Sequence, residues 1–268
     1  MKNSSVNRLS KCLGLERKIV GVKIINYKDQ FDKLEIDNLE KRITFCNMVK
    51  RANEGDLFKA KEENFFCEYG AYALGIIKPH NSIASGNSYD AAGLYESQTI
   101  ARSITEEMCY LKHDAYGVVV GPLNLMEDCD IVIVISYAAD IMRILQGYGY
   151  KFGMPKNIRT LGNQGMCSDL VAKPFYKNDL NVSLMCEGAR KYSKCFKGEL
   201  GVAMPINMFD SVVDGVIMTM NPVASNREKD EILKRLQSPM ELGIKIIKDT
   251  DYGKYLKKYD SYIKEITN

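Results

Sequence analysis

Phe45-Cys46-Asn47-Met48-Val49 and Cys67-Glu68-Tyr69-Gly70-Ala71 are echoed further along the chain by Met166-Cys167-Ser168-Asp169-Leu170 and Cys186-Glu187-Gly188-Ala189-Arg190. The intervals between the cysteines are close, 21 residues (46 to 67) and 19 residues (167 to 186). Each interval carries a short acidic turn, Gly55-Asp56-Leu57 in the first and Asn178-Asp179-Leu180 in the second. Self-similarity of this kind fixes the architecture before any single element does. Two copies of one unit pack about a pseudo-twofold axis, and equivalent residues then meet near it. The expectation is a body with two related halves, about residues 17–125 and 126–222. Four thiols, Cys46, Cys67, Cys167 and Cys186, would come together where the halves join.

Outward from the cysteines, strand and helix patterns alternate. Lys18 to Ile25 is β-branched and apolar, and so are Tyr116 to Val120, Asp130 to Ser136 and Gly201 to Pro205. The run Ile131-Val132-Ile133-Val134-Ile135 is apolar on both faces, as an internal strand of a covered sheet must be. Helical spacing appears around Leu9, Cys12 and Leu13, with Gly14 as a stop. It recurs from Tyr89 to Met108 as one long amphipathic helix and from Ala138 to Leu145, while Phe209 to Met220 reads as a helix or a helix leading into a strand. The segment Asp29 to Arg42 has room for a short helix. Gly147 to Gly165 reads as an irregular link. The fold class expected is α/β, with a mixed sheet and covering helices. Residues 1–225 form the body, and 226–268 a basic helical extension striped by Tyr252, Tyr255, Tyr259 and Tyr262. A tyrosine stripe at that spacing suits a docking face, against the body or another copy of the chain.

Composition excludes several classes. In 268 residues, 46% apolar and 26% charged content is that of a globular chain, and a net charge of +3 gives no basic stripe for nucleic acid. No window reaches the roughly 18 uninterrupted apolar residues of a membrane span. Met1 to Ser5 lacks a signal-peptide core, so the expectation is a cytoplasmic protein whose eight cysteines are reduced rather than bridged. There is no Walker motif, no G-x-G-x-x-G after a strand and no H-E-x-x-H. His80 and His113 read as surface histidines.

The same blocks resemble the domain of unknown function 169 family of archaea and bacteria. The resemblance rests on Val20-Gly21-Val22-Lys23, Phe45-Cys46 with Ala52 and Gly55-Asp56, Cys67 before Gly70-Ala71 and Leu74-Gly75, and Asn181 through Arg190. It runs from about residue 10 to about residue 220. It implies a protein found largely in anaerobic prokaryotes and brings no activity with it.

Four thiolates can hold a [4Fe–4S] or [2Fe–2S] cluster or a structural zinc, or the four can be ordinary buried cysteines. All-cysteine zinc sites favour close C-x₂-C pairs, which are absent here, whereas a cluster between two halves accepts wide spacing. The leading expectation is a [4Fe–4S] protein working in electron transfer or binding a small molecule at the cluster, with a redox protein or a small molecule as partner. Zinc, or bare thiols in an interaction module, is the alternative. Glu68 and Glu187 stand in equivalent places beside the cysteines. Arg190 lies one turn beyond Cys186, where it would pair with an anionic cluster or with Glu187. Cys12, Cys109, Cys129 and Cys195 have no counterpart in the other half and read as structural.

Overall fold

A computed structural model describes residues 2–78 and 80–250. Six strands are present: β1 (Val20–Ile25), β2 (Phe58–Lys61), β3 (Gly117–Pro122), β4 (Ile131–Tyr137), β5 (Asn181–Ser183) and β6 (Glu199–Pro205). They form one sheet in the order β2-β3-β1-β4-β6-β5. The fold is α/β, but the expected mixed sheet is corrected, because all five ladders are antiparallel.

That order reads the same from either edge once β1, β2 and β3 are exchanged for β4, β5 and β6. The registers agree with it. Pro122 stands opposite the first residue of β1, Val20, and Pro205 opposite the first residue of β4, Ile131. The two sets meet through β1 and β4, paired about Gly21 and Val132. The acidic turns fall into the same scheme. Gly55 and Asn178 both take positive φ, 127° and 46°, just before the outermost strands β2 and β5. Both residue types tolerate that conformation.

The central strands are β-branched and buried, and helices cover one face. Phe45, Met48, Val49 and Ala52 of the helix Phe45–Glu54 join Val20, Val22, Val118 and Val120 in the core. Met166, Leu170 and Val171 of the segment Gly165–Ala172 join Ile131, Ile133 and Ala203 of the other set in that core. Fully burying one such side chain is worth about 1.5–3 kcal/mol.

The outermost strands were invisible to pattern reading. β2 is Phe-Lys-Ala-Lys, and its Lys59 is buried rather than solvated. Lys59 Nζ donates to the carbonyls of Phe31 (2.8 Å) and Leu34 (2.9 Å), which close the helix Lys28–Lys33. A cation there complements the negative end of the helix. The expected Tyr89–Met108 helix is two helices, Asn87–Ala91 and Gln98–Glu107, because Gly93 turns the chain at φ 67° and Ser97 starts a new N-cap.

By packing, the described residues form two units. The sheet unit holds 17–137 and 157–206 and takes residues from both expected halves, whereas a helical unit holds 2–16, 138–156 and 207–250 and takes residues only from the second half and from outside the two halves. In the helical unit, Ala138–Phe152 runs on past Leu145, where sequence reading stops it. Gly147 does not end the helix but lets a neighbour approach. A Cβ on Gly215 of Ile206–Met218 would collide with the carbonyl oxygen of Gly147. Gly215→Val is therefore expected to cost about 1–3 kcal/mol in urea denaturation, as overpacking against backbone does. The extension opens with Asn226–Arg235, held by a Ser225/Glu228 capping box, and is not helical from Leu236 to Thr250, correcting the helical reading of Leu236, Leu242, Ile244 and Ile246. The tyrosine stripe from Tyr252 to Tyr262 lies outside the described residues.

Candidate four-cysteine site

Each of the four cysteines sits at the beginning of a helical segment. Cys46 is the second residue of Phe45–Glu54, whose N-cap Thr44 accepts the Asn47 N–H at 3.1 Å. Cys67 is the N-cap of Glu68–Ala73, Cys186 is the N-cap of Glu187–Tyr192, and Cys167 is the third residue of the π-helix Gly165–Ala172. The amides that open a helix have no partner within it, so they and the helix dipole favour negative charge at these sulfurs.

The segments pack crosswise. The helix carrying Cys186 lies against the one carrying Cys46, and the helix behind Cys67 lies against the π-helix of Cys167. Each half thus closes on the other, and a single cleft of about 290 Å³ is lined by all four cysteines. Cys167 is buried and the other three are half-buried. This close approach depends on Gly165, where a Cβ would stand 2.9 Å from Cys186 N and from Met185 Cα and C.

Charge is shared unevenly among the sulfurs. The neighbouring Cys46 thiol and the N–H groups of Ala189, Gly165 and Gly188 favour a thiolate at Cys186 and pull its pKa down to about 6 against the cost of its burial. The Ala189 N–H reaches the Cys186 sulfur at 3.4 Å. The nearness of Cys186 pushes the Cys46 thiol well up in turn, helped by burial and by Cys167 and Cys67. Burial raises Cys167, and Cys67 and Cys186 raise it further. Burial also raises Cys67, opposed by the nearby N–H groups of Gly70 and Tyr69, which close no cap bond. Without a counter-cation the site holds one thiolate. In metal-free protein, Cys186 is expected to react first with iodoacetamide, with its rate rising as pH passes about 6 and the thiolate forms. Cys12, whose pKa is pushed up to about 12 by burial, is expected to react only at far higher pH. Mass spectrometry of peptides alkylated across a pH series checks both.

The wall beside the thiols was not foreseen. Gln164, in the left-handed region at φ 51°, is buried, and its Nε2 donates to Tyr89 OH (2.6 Å) and Tyr110 OH (3.3 Å). Its Oε1 has no partner among the described residues. Tyr69 stacks on Tyr89 at 5.1 Å, and both line the cleft with Phe66 and Tyr192.

Of the charged neighbours, Glu187 lines the cleft from an exposed position, while Glu68 is exposed and does not line it. Arg190 pairs with neither a site group nor Glu187. Its guanidinium donates to the carbonyls of Leu184 (2.9 Å), Glu199 (3.2 Å) and Phe196, fastening the loop after its own helix. The other cysteines stand apart: Cys129 donates to the Ile131 carbonyl at 3.0 Å, Cys109 to that of Ala172 at 3.5 Å, and Cys195 meets Ser193 Oγ at 3.3 Å.

The family model of DUF169, described as uncharacterised ArCR, matches residues 8–215, which takes in all four cysteines. The chain belongs to the DUF169 family. A similar protein is the uncharacterized protein MJ0308 of Methanocaldococcus jannaschii, 24% identical over 215 residues that cover 79% of this chain and 92% of that one. No solved structure matches. The DUF169 region thus contains the whole sheet and the cysteine cleft, and ends inside the helix Ile206–Met218.

Proposed function

We propose that Cys46, Cys67, Cys167 and Cys186 hold a [4Fe–4S] cluster, and that the protein is a cytoplasmic redox protein which passes electrons to a partner or binds a small molecule at the cluster. The observation that carries this reading is the crosswise packing of four helix starts, which turns four cysteines distant in sequence into the lining of one cleft. The donor set suits the group. Iron–sulfur clusters take four thiolates, and their net negative charge is stabilised by N–H groups aimed at the sulfurs, such as those of Gly165, Gly188 and Ala189 around Cys186. A mononuclear zinc draws its thiolates to about 2.3 Å from one point, whereas a cluster spreads them over several irons. A bound cluster supplies one-electron chemistry. This chain's residues would anchor it, neutralise its charge with helix amides, and shield it behind Phe66, Tyr69 and Tyr192.

Protein purified without oxygen is expected to be brown, with broad absorbance near 400 nm and with iron and acid-labile sulfide in equal amounts, about four of each per chain. Stoichiometric zinc, or colourless protein with four titratable thiols and no metal, would overturn the reading. The second of those results would favour the other reading, a metal-free module whose thiols are structural.

A further inference from the structure

The π-helix Gly165–Ala172 borders two cavities. Cys167 lines the cysteine cleft, while the next two residues, Ser168 and Asp169, line a separate cavity of about 490 Å³. That volume lies within the range of small-molecule sites, roughly 300–1,000 Å³. Helices of the π type are rare and occur disproportionately at functional sites. Ile104, Met108, Ile158 and Leu161 supply an apolar wall.

The charges around this cavity are unusual in what they leave undone. At its rim Arg159 and Glu107 satisfy each other at 2.8 Å. Deeper in, Asp169 is 9% exposed, and its Oδ2 accepts the hydroxyls of Thr160 (2.9 Å) and Ser183 (2.8 Å), with no cation in ion-pair contact among the described residues. Lys173 has neither a hydrogen bond nor an ion pair from its ammonium among the described residues, although the site half-buries it. Residues four apart on a helix ordinarily reach each other. Asp169 and Lys173 do not close into a pair, the Asp169 carboxyl being turned to Thr160 and Ser183 instead. One cavity therefore presents a carboxyl and an ammonium held apart, beside an apolar wall.

We propose that this cavity binds a small zwitterion with an aliphatic side chain, an α-amino acid of the leucine type. Its ammonium faces Asp169, its carboxylate faces Lys173, and its hydrocarbon lies on Ile104, Met108, Ile158 and Leu161. Nothing in this assignment requires a cluster in the neighbouring cleft. The shared helix nevertheless sets the ligand's charged end two residues from Cys167, so binding and the state of the cysteine site are mechanically joined.

The test uses the full chain as purified anaerobically, with its metal content recorded. L-leucine is titrated by calorimetry and by the methyl resonances of Ile104 and Ile158, beside two near-isosteres: 4-methylpentanoate, which lacks the ammonium, and 3-methylbutylamine, which lacks the carboxylate. Leucine is expected to shift both methyls, and each single-charge analogue to bind about tenfold more weakly or worse, as loss of a charged hydrogen bond implies. Lys173→Met should weaken leucine by a similar factor, leave 3-methylbutylamine unchanged and leave metal content unchanged. Asp169→Asn gives the converse, and because it touches the Thr160–Ser183 network, the Lys173 variant decides if it fails to fold. Equal binding of 4-methylpentanoate and leucine would make this a plain anion site and overturn the proposal. So would leucine that moves neither methyl, or unchanged leucine affinity in Lys173→Met. Metal analysis of the same samples keeps failure here distinct from failure of the cluster reading.

Discussion

Serine at Cys46, Cys67, Cys167 or Cys186, one at a time, is expected to strip or degrade the chromophore of anaerobically purified protein. Serine at Cys12, Cys109, Cys129 or Cys195 should leave it intact. A hydroxyl is a poor substitute for thiolate at iron, and the first four sulfurs share one cleft, while the second four are engaged elsewhere with carbonyls and Ser193 or buried in another helix. For the second set the cost is that of a more polar atom at a packed site, on the order of 1–2 kcal/mol. Cys186 should lose metal as the other three do, and its replacement also removes the acceptor of the Ala189 N–H at 3.4 Å. Iron and sulfide per chain, measured on all eight variants, decide the matter. Loss of metal in any of Cys12, Cys109, Cys129 or Cys195 as deep as in the first set would refute the ligand assignment.

Gly165→Val is expected to abolish the site without touching a cysteine. A β-carbon at this position meets Cys186 N and two Met185 main-chain atoms, each at 2.9 Å, and backbone cannot yield as a flexible side-chain tip does. Relief comes only by parting the π-helix from the start of Glu187–Tyr192, which separates Cys167 from Cys186 and withdraws the Gly165 amide from the Cys186 sulfur. The fold is expected to survive with a loss of about 1–3 kcal/mol, the usual cost of overpacking. Metal content should fall to near zero, and the low-pH alkylation of Cys186 should disappear. Circular dichroism beside metal analysis separates the two effects. A Gly165→Val protein with full metal content would show that the crosswise contact is not what assembles the cleft.

The parts of this molecule legible in its sequence are those with repetition or strong periodicity. The four long strands follow from β-branched runs, and the helix starts at the cysteines follow from their echo between halves. The acidic turns proved to sit at equivalent bends before β2 and β5. What escaped has physical reasons. β2 hides behind two lysines, one of which is buried only because a helix end offers two carbonyls to it. β5 is three residues long and too short to show alternation. Gly147 reads in sequence as the opening of an irregular link, though its meaning lies in a neighbour's backbone. Gln164 and the tyrosine wall are set by long-range packing, since Tyr89 and Gln164 meet from 75 positions apart. No local pattern reports a contact of that kind.

The palindromic order of the sheet bears on how such a chain could arise. Three strands with two of the four cysteines would line only part of this cleft, since both halves contribute to its wall. A polypeptide of half this length would have had to meet its own twin, strand β1 against its copy and helix against helix, each protomer lending two sulfurs. Fusion of two such genes would make that encounter permanent and free each copy to drift. Such drift would account for the π-helix Gly165–Ala172, whose counterpart Phe45–Glu54 is an ordinary α-helix.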